Sequence, residues 1–136
     1  MIFKRRNNDP DNSLIKIAAL LIHAAKIDQN YSSVEKGVIK KTIIKLGAIN
    51  KNIDKIINDA ENIEDKSNQI LDFTKEVKNM DNQKKIEIIE ALWRIIYSNN
   101  EADIYETNLM RRLAGLLYID SKVMGDIKDK IKKENL

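Results

Sequence analysis

Apolar residues recur at three- and four-residue intervals along nearly the whole chain, and strict alternation of apolar and polar positions is hard to find. That period lines one face of a helix, so the pattern predicts an all-α protein of about seven short helices. A polar lead-in over 1–12 precedes a single helical domain over 13–136. The first helix is predicted over about 13–27, capped by Asn12 or Ser13, and its centre is apolar nearly all round, which marks a buried, central helix. Ser32 opens the second helix through the capping box Ser32-x-x-Glu35, with an inner stripe of Val34, Val38, Ile39, Thr42, Ile43 and Leu46, and Gly47 supplies a left-handed stop. Asn50 is expected to cap a third helix facing inward through Ile53, Ile56, Ile57 and Ala60. Ser67 opens a fourth helix with Ile70, Leu71, Phe73, Thr74 and Val77 inside.

Asp81 opens the fifth helix, which carries Ile86, Ile89, Leu92, Trp93 and Ile96. Asp103-x-x-Glu106 is a second capping box, for a helix that buries Leu109, Met110, Leu113, Ala114 and Leu117. Asp120 caps the last helix, built on Val123, Met124, Ile127 and Ile131. One proline and four glycines leave few breakers inside these elements.

The pattern also repeats. An apolar helix, an oxygen-rich turn and an acid-opened amphipathic helix run from Leu21 through Glu35 and again from Ala91 through Glu106. Asp28 aligns with Asn99 and Glu35 with Glu106, an offset of 71 residues in both cases (99 − 28 and 106 − 35). With one residue dropped near the next turn, Asn50 aligns with Asp120 as equivalent caps. Each half is then three helices, the fourth helix joins them, and the first and fifth helices are expected to pack together about a pseudo-two-fold axis.

At 136 residues the chain suits one domain able to bury a sizeable core. No cysteine is present, which excludes thiol catalysis, thiolate metal sites and a disulfide framework. The net charge of +3 spreads over 24 basic and 21 acidic residues, a mixed solvated surface rather than a polyanion-binding field. Arg111-Arg112 and Lys40-Lys41 read as solvated helix faces, and aromatics make up only 5% of the chain, so nucleic acid is not an expected partner. The basic N-terminus lacks the apolar segment of a secretory signal, and no apolar run approaches a membrane span of about 20 residues. The expectation is a cytoplasmic monomer.

The oxygen-rich turns hold the only candidate chemistry. Asp28, Asn30, Ser32 and Glu35 present oxygens at regular offsets, as do Asn99, Glu101, Asp103 and Glu106. Hard oxygen ligands so spaced suit Ca2+ or Mg2+, although the glycine and bidentate glutamate of an EF-hand loop are missing. The same residues must also satisfy the free N–H groups of the helices they open, and the two uses are compatible. His23, the single histidine, lacks a companion nucleophile or second ligand and is expected to pair with an acid or sit at a helix margin. No phosphate loop, nucleophile elbow or HExxH motif occurs, and no enzymatic activity is expected.

The run Ala91-Leu-Trp-Arg-Ile-Ile-Tyr-Ser-Asn-Asn-Glu-Ala-Asp-Ile-Tyr-Glu106 resembles the signature Ala-Leu-Trp-Arg-Val-Ala-Tyr-Ala-Asp-Gly-Glu-Leu-Asp-Pro-Tyr-Glu of TerB-like proteins. These form the tellurite-resistance family, whose domain also precedes the J-domain in some membrane-anchored DnaJ-like co-chaperones. Met110-Arg-Arg-Leu-Ala-Gly-Leu-Leu117 and the first hairpin are similar to the family as well, so the resemblance covers about Leu14 to Ile131.

The resemblance implies an internally duplicated helical bundle without enzymatic activity, linked to tellurite and other stress responses, with an acidic surface able to take a divalent cation. The chain departs from the family in its turns, where Asp-Gly becomes Asp28-Gln29 and Asn99-Asn100, and His23 stands where many members carry an acid, opposite its repeat mate Arg94. Both changes remove negative charge. The expected function is an interaction module of a cytoplasmic stress response. The alternatives are a weak Ca2+- or Mg2+-binding regulatory protein using the turns, and an accessory of an envelope or chaperone complex.

Overall fold

A computed structural model describes residues 10–27, 31–66, 71–99 and 104–134, with the backbone alone for Pro10, Asn99 and residues 104–107. Among them run seven α-helices and no strand: α1 Pro10–Ile27, α2 Ser33–Lys45, α3 Ile53–Lys66, α4 Leu71–Lys78, α5 Asn82–Ile96, α6 Ile104–Leu116 and α7 Ser121–Glu134. Short 3-10 turns lead into α3 (Asn50–Asn52) and out of α5 (Tyr97–Asn99). The all-α reading therefore holds.

The first helix starts earlier than the sequence suggested. Proline has a fixed φ suited to a first helical position and no N–H to leave unsatisfied there, so α1 begins at Pro10. Asn12 and Ser13 consequently lie inside the helix. Ser13 does not cap it; its hydroxyl donates to Glu76 Oε2 on α4 at 2.6 Å.

The unbroken apolar run from Ile17 to Ile22 is buried on every side, because α1 packs most extensively on α3 and also meets α2, α4 and α5. The second central helix is α5, whose Ile88, Ile89, Ala91, Leu92, Ile95 and Ile96 are buried and which packs chiefly on α7. Trp93 is 2% exposed and stacks on Tyr97 with ring centroids 5.9 Å apart. These two helices are the buried pair that the sequence indicated, and they touch each other.

Three stripe residues face outward instead. Val34 is 62% exposed, because α2 buries positions 35, 39, 42 and 43, and Glu35 rather than Val34 lies on that stripe. Leu71 precedes Phe73 by two residues and falls on the far side of α4, and Val123 lies at the edge of the α7 stripe; both are exposed. Ser67 and Ile70 lie outside the described residues.

The halves repeat more closely than the sequence showed. Helix α2 spans 33–45 and α6 spans 104–116, so both ends keep the offset of 71 residues. The turns that follow close with the same pair of hydrogen bonds. Gly47 N–H donates to Ile44 O and Ala48 N–H to Ile43 O, while Tyr118 N–H donates to Gly115 O and Ile119 N–H to Ala114 O. Each is a Schellman closure with its left-handed residue at Gly47 (φ 124°) or Tyr118 (φ 57°).

The register then continues without the dropped residue that the sequence reading introduced. Buried Ile53, Ile56 and Ala60 match buried Met124, Ile127 and Ile131, so the mate of Asp120 is Ile49, not Asn50. Asp120 accepts from Lys122 N–H at 2.8 Å as expected of a cap, whereas the 3-10 turn at Asn50 follows Ile49 without a side-chain cap. Cap chemistry and backbone position thus differ by one residue between the halves, while the backbone offset stays constant.

Candidate functional site

The second helix opens on a serine and places a glutamate three residues later, on its buried stripe. Glu35 is therefore both a cap and a core residue, 2% exposed. Its Oε1 accepts from Ser32 N–H at 3.0 Å and from the Ser32 hydroxyl. The carboxylate also reaches the side chain of Ser98, in the 3-10 turn after α5. Burial works to raise the pKa of Glu35, but the hydroxyls of Ser32 and Ser98 and the nearby backbone N–H groups outweigh it and hold the carboxyl below its ordinary value. The Ser98 hydroxyl lies 2.7 Å from Ile95 O as well, so the contact ties α2 to the end of α5. One carboxylate thus links the two hairpins.

Of the other candidate residues, Asp28, Asn30, Glu101 and Asp103 lie outside the described residues, and Asn99 and Glu106 are described by backbone only. Glu106 falls at the third residue of α6, as Glu35 does in α2. Among the described residues no group of three His, Asp or Glu side chains is placed to hold a metal ion. Glu35 and Ser98 were separated by 63 positions in sequence, and Ser98 carried no signal beyond its place in the second hairpin.

Other acids of the bundle, buried and exposed, have specific partners. His23 Nδ1 lies 3.1 Å from Glu64 Oε2, which is the acid pairing expected for the single histidine. Lys26 Nζ takes the other oxygen of Glu64 at 2.7 Å, and that contact raises the lysine pKa. One turn earlier on α3, Glu61 accepts from Tyr31 Oη at 2.7 Å and meets Lys36 at 3.2 Å. Burial opposes the charge on Glu61, but the tyrosine hydroxyl and Lys36 prevail and lower its pKa. Burial and the same carboxylate raise the pKa of Tyr31.

The second half repeats the device with other side chains. Arg94, the mate of His23, forks onto both oxygens of Glu134 at 3.1 Å, and the hydrogen bonds hold Glu134 below the usual carboxylate range. Glu90 is bound by Lys130 at 2.6 Å. In each half, then, a cation on the first helix holds an acid near the end of the third. These acids serve the packing of the bundle.

Tyr118 was missed by sequence reasoning. It is 70% exposed, its backbone is left-handed, and Lys78 Nζ lies 4.8 Å from its ring centroid. With Asn82, Ile86, Ile119, Asp120 and Val123 it borders a surface hollow of about 240 Å³. The signal was available in the register, since its mate is Gly47, the residue type such a backbone favours. A non-glycine residue there costs about 1–2 kcal/mol, and backbone strain of this kind gathers at functional surfaces.

Residues 14–129 match the family described as tellurite resistance protein TerB. No curated protein and no solved structure matches the chain.

Proposed function

The chain belongs to the TerB family, and from that premise we propose that it is a non-enzymatic interaction module acting in the cytoplasm in a response to tellurite or a related metal or oxidant stress. The observation that carries the interaction reading is Tyr118. A bulky aromatic is kept, exposed, at a backbone position where its repeat mate is glycine, and apolar Ile86, Ile119 and Val123 adjoin it. Tyrosine is favoured in protein interfaces, where an apolar ring and a polar tip are both used.

The test is complementation of a deletion strain under tellurite challenge with Tyr118→Gly, a change that relieves the backbone and leaves the core intact. Resistance should fall although the variant accumulates as a folded protein. Full resistance from the variant would remove the basis of this reading.

A second reading, supported by the contact between Glu35 and Ser98, is a weak divalent-cation site where the two hairpins meet. Glutamine can still accept in a capping box but cannot replace a charged ligand for a hard cation. Calcium and magnesium titrations of the wild type and of Glu35→Gln with Glu106→Gln separate the two uses. Binding no tighter than about millimolar is expected, since the Glu35 carboxylate already holds serine hydroxyls and N–H groups. A micromolar affinity lost in the double variant would make the cation reading the stronger one.

A further inference from the structure

Between α6 and α7 lies a hollow of about 390 Å³, within the range of small-ligand sites. Its apolar surface comes from Trp93, Met110, Ala114, Ile119 and Met124, and Gly115 and Gly125 add no side chain to it. A Cβ built on either glycine would meet nothing within 4 Å. Ser121, Arg111 and Lys128 complete the lining, and neither cation has an acid partner among the described residues. Lys128 Nζ instead lies 5.5 Å from the Trp93 ring centroid.

The repeat shows what would complement this hollow. At the constant offset of 71, Ala114 and Gly115 correspond to Ile43 and Ile44, Lys128 to Ile57, Arg111 to Lys40 and Gly125 to Asp54. In the first half Ile43 and Ile57 are buried, and Lys40 Nζ meets Asp54 Oδ1 at 3.0 Å across α2 and α3. The second half therefore lacks branched apolar side chains and one carboxylate, and it keeps the cation that such a carboxylate would meet. We propose that the hollow between α6 and α7 binds a small carboxylic acid with an apolar body, an aliphatic acid of medium chain length, whose carboxylate takes the place held by Asp54 in the first half. The chain of the acid lies along Ile119 and the two glycines, over the buried Trp93, and Arg111 with Lys128 holds the charge. The size of the hollow favours a free acid over a protein segment, which would need a longer groove.

Trp93 is the only tryptophan, so its fluorescence reports on the hollow directly. The full chain is titrated with decanoate and with decanol, both below their aggregation limits. Decanoate should give a saturable change, and decanol should bind at least tenfold more weakly. Arg111→Gln, on an exposed side chain, should weaken decanoate about tenfold without altering thermal unfolding. Ala114→Ile with Gly125→Asp rebuilds the first half's closure and should abolish the response in a protein that still unfolds cooperatively. Equal affinity for decanol and decanoate would overturn the proposal, as would an unchanged affinity in Arg111→Gln. A saturable response to an acidic amphipathic peptide, with none to decanoate, would assign the hollow to a protein segment and overturn it equally.

Discussion

Lys40 and Asp54 form an ion pair over the seam between α2 and α3, while 71 residues later Arg111 and Gly125 leave the matching seam between α6 and α7 without one and open to a hollow. The two halves otherwise share the ends of their second helices, a Schellman turn and a cation-to-acid tie between first and third helices. The first half fills its interhelical seam with Ile43 and Ile57 and turns on glycine. The second places alanine, glycine and lysine along that seam and turns on a strained, exposed tyrosine. Backbone register and central core are common to both copies, so those are what the fold requires. The departures gather on the solvent side of α6 and α7, where a repeat freed from closing itself can present a surface.

The largest effects should fall where the halves agree. Trp93 and its mate Ile22 sit at equivalent depth in α5 and α1, so Trp93→Ala should cost about 3–5 kcal/mol and Ile22→Ala about 2–4 kcal/mol in chemical denaturation. A loss below about 1 kcal/mol at Trp93 would break the equivalence, because it would mean that the second half lacks a packed centre.

Glu35, which joins the halves, comes next. Glu35→Ala removes the acceptor of the Ser32 N–H and hydroxyl from the capping box and should cost about 0.5–2 kcal/mol. Glu35→Gln keeps an accepting oxygen and should stay within about 1 kcal/mol of wild type near neutral pH. The acid limb distinguishes them further. The folded-state pKa of Glu35 is depressed, so its ionisation stabilises the fold fully above the unfolded carboxyl value of about 4.3, and that contribution is lost as pH falls through the lower folded value. Glu61 and Glu134 act in the same direction. Melting temperatures followed from pH 6 to pH 2.5 should therefore fall less steeply for Glu35→Gln than for wild type. Equal slopes would show that Glu35 is not among the groups that set acid stability.

The seam ion pair should matter least. Asp54 is largely exposed, so Lys40→Ala should cost no more than about 1 kcal/mol and lose even that at high salt. A larger, salt-independent loss would mean that the pair closes the first half rather than merely covering it.

Much of this was legible in the sequence, and the reasons are local. Three-and-four spacing located the seven helices, the cap at Asp81 is observed with Lys84 N–H at 2.9 Å, and the stop at Gly47 has the positive φ its residue type implies. The start of α1 was misplaced because serine and asparagine resemble caps wherever they stand, whereas Pro10 settles the boundary through a φ it cannot change. Val34 and Leu71 were placed inside because an apolar residue near a helix start does not reveal which side of the helix it occupies. The link from Glu35 to Ser98 could not be read at all, since it joins residues far apart in sequence through one hydrogen-bonded carboxylate. Tyr118 is hidden differently: its conformation follows from its repeat mate Gly47, and a register that matches the caps at Asn50 and Asp120 does not pair the two.

The most direct test of the claim that both halves are built on one turn, and that the second carries strain the first avoids, is a paired denaturation experiment at that turn. Gly47→Ala meets no steric contact, so its whole cost is backbone and should be about 1–2 kcal/mol. Tyr118→Gly should stay within about 0.5 kcal/mol of wild type, because relief of the left-handed backbone is offset by the added freedom of the unfolded glycine and the lost contact with Lys78. A clear loss at Gly47→Ala beside a nearly neutral change at its mate is the predicted result, and a loss of stability in Tyr118→Gly as large as that in Gly47→Ala would contradict the account.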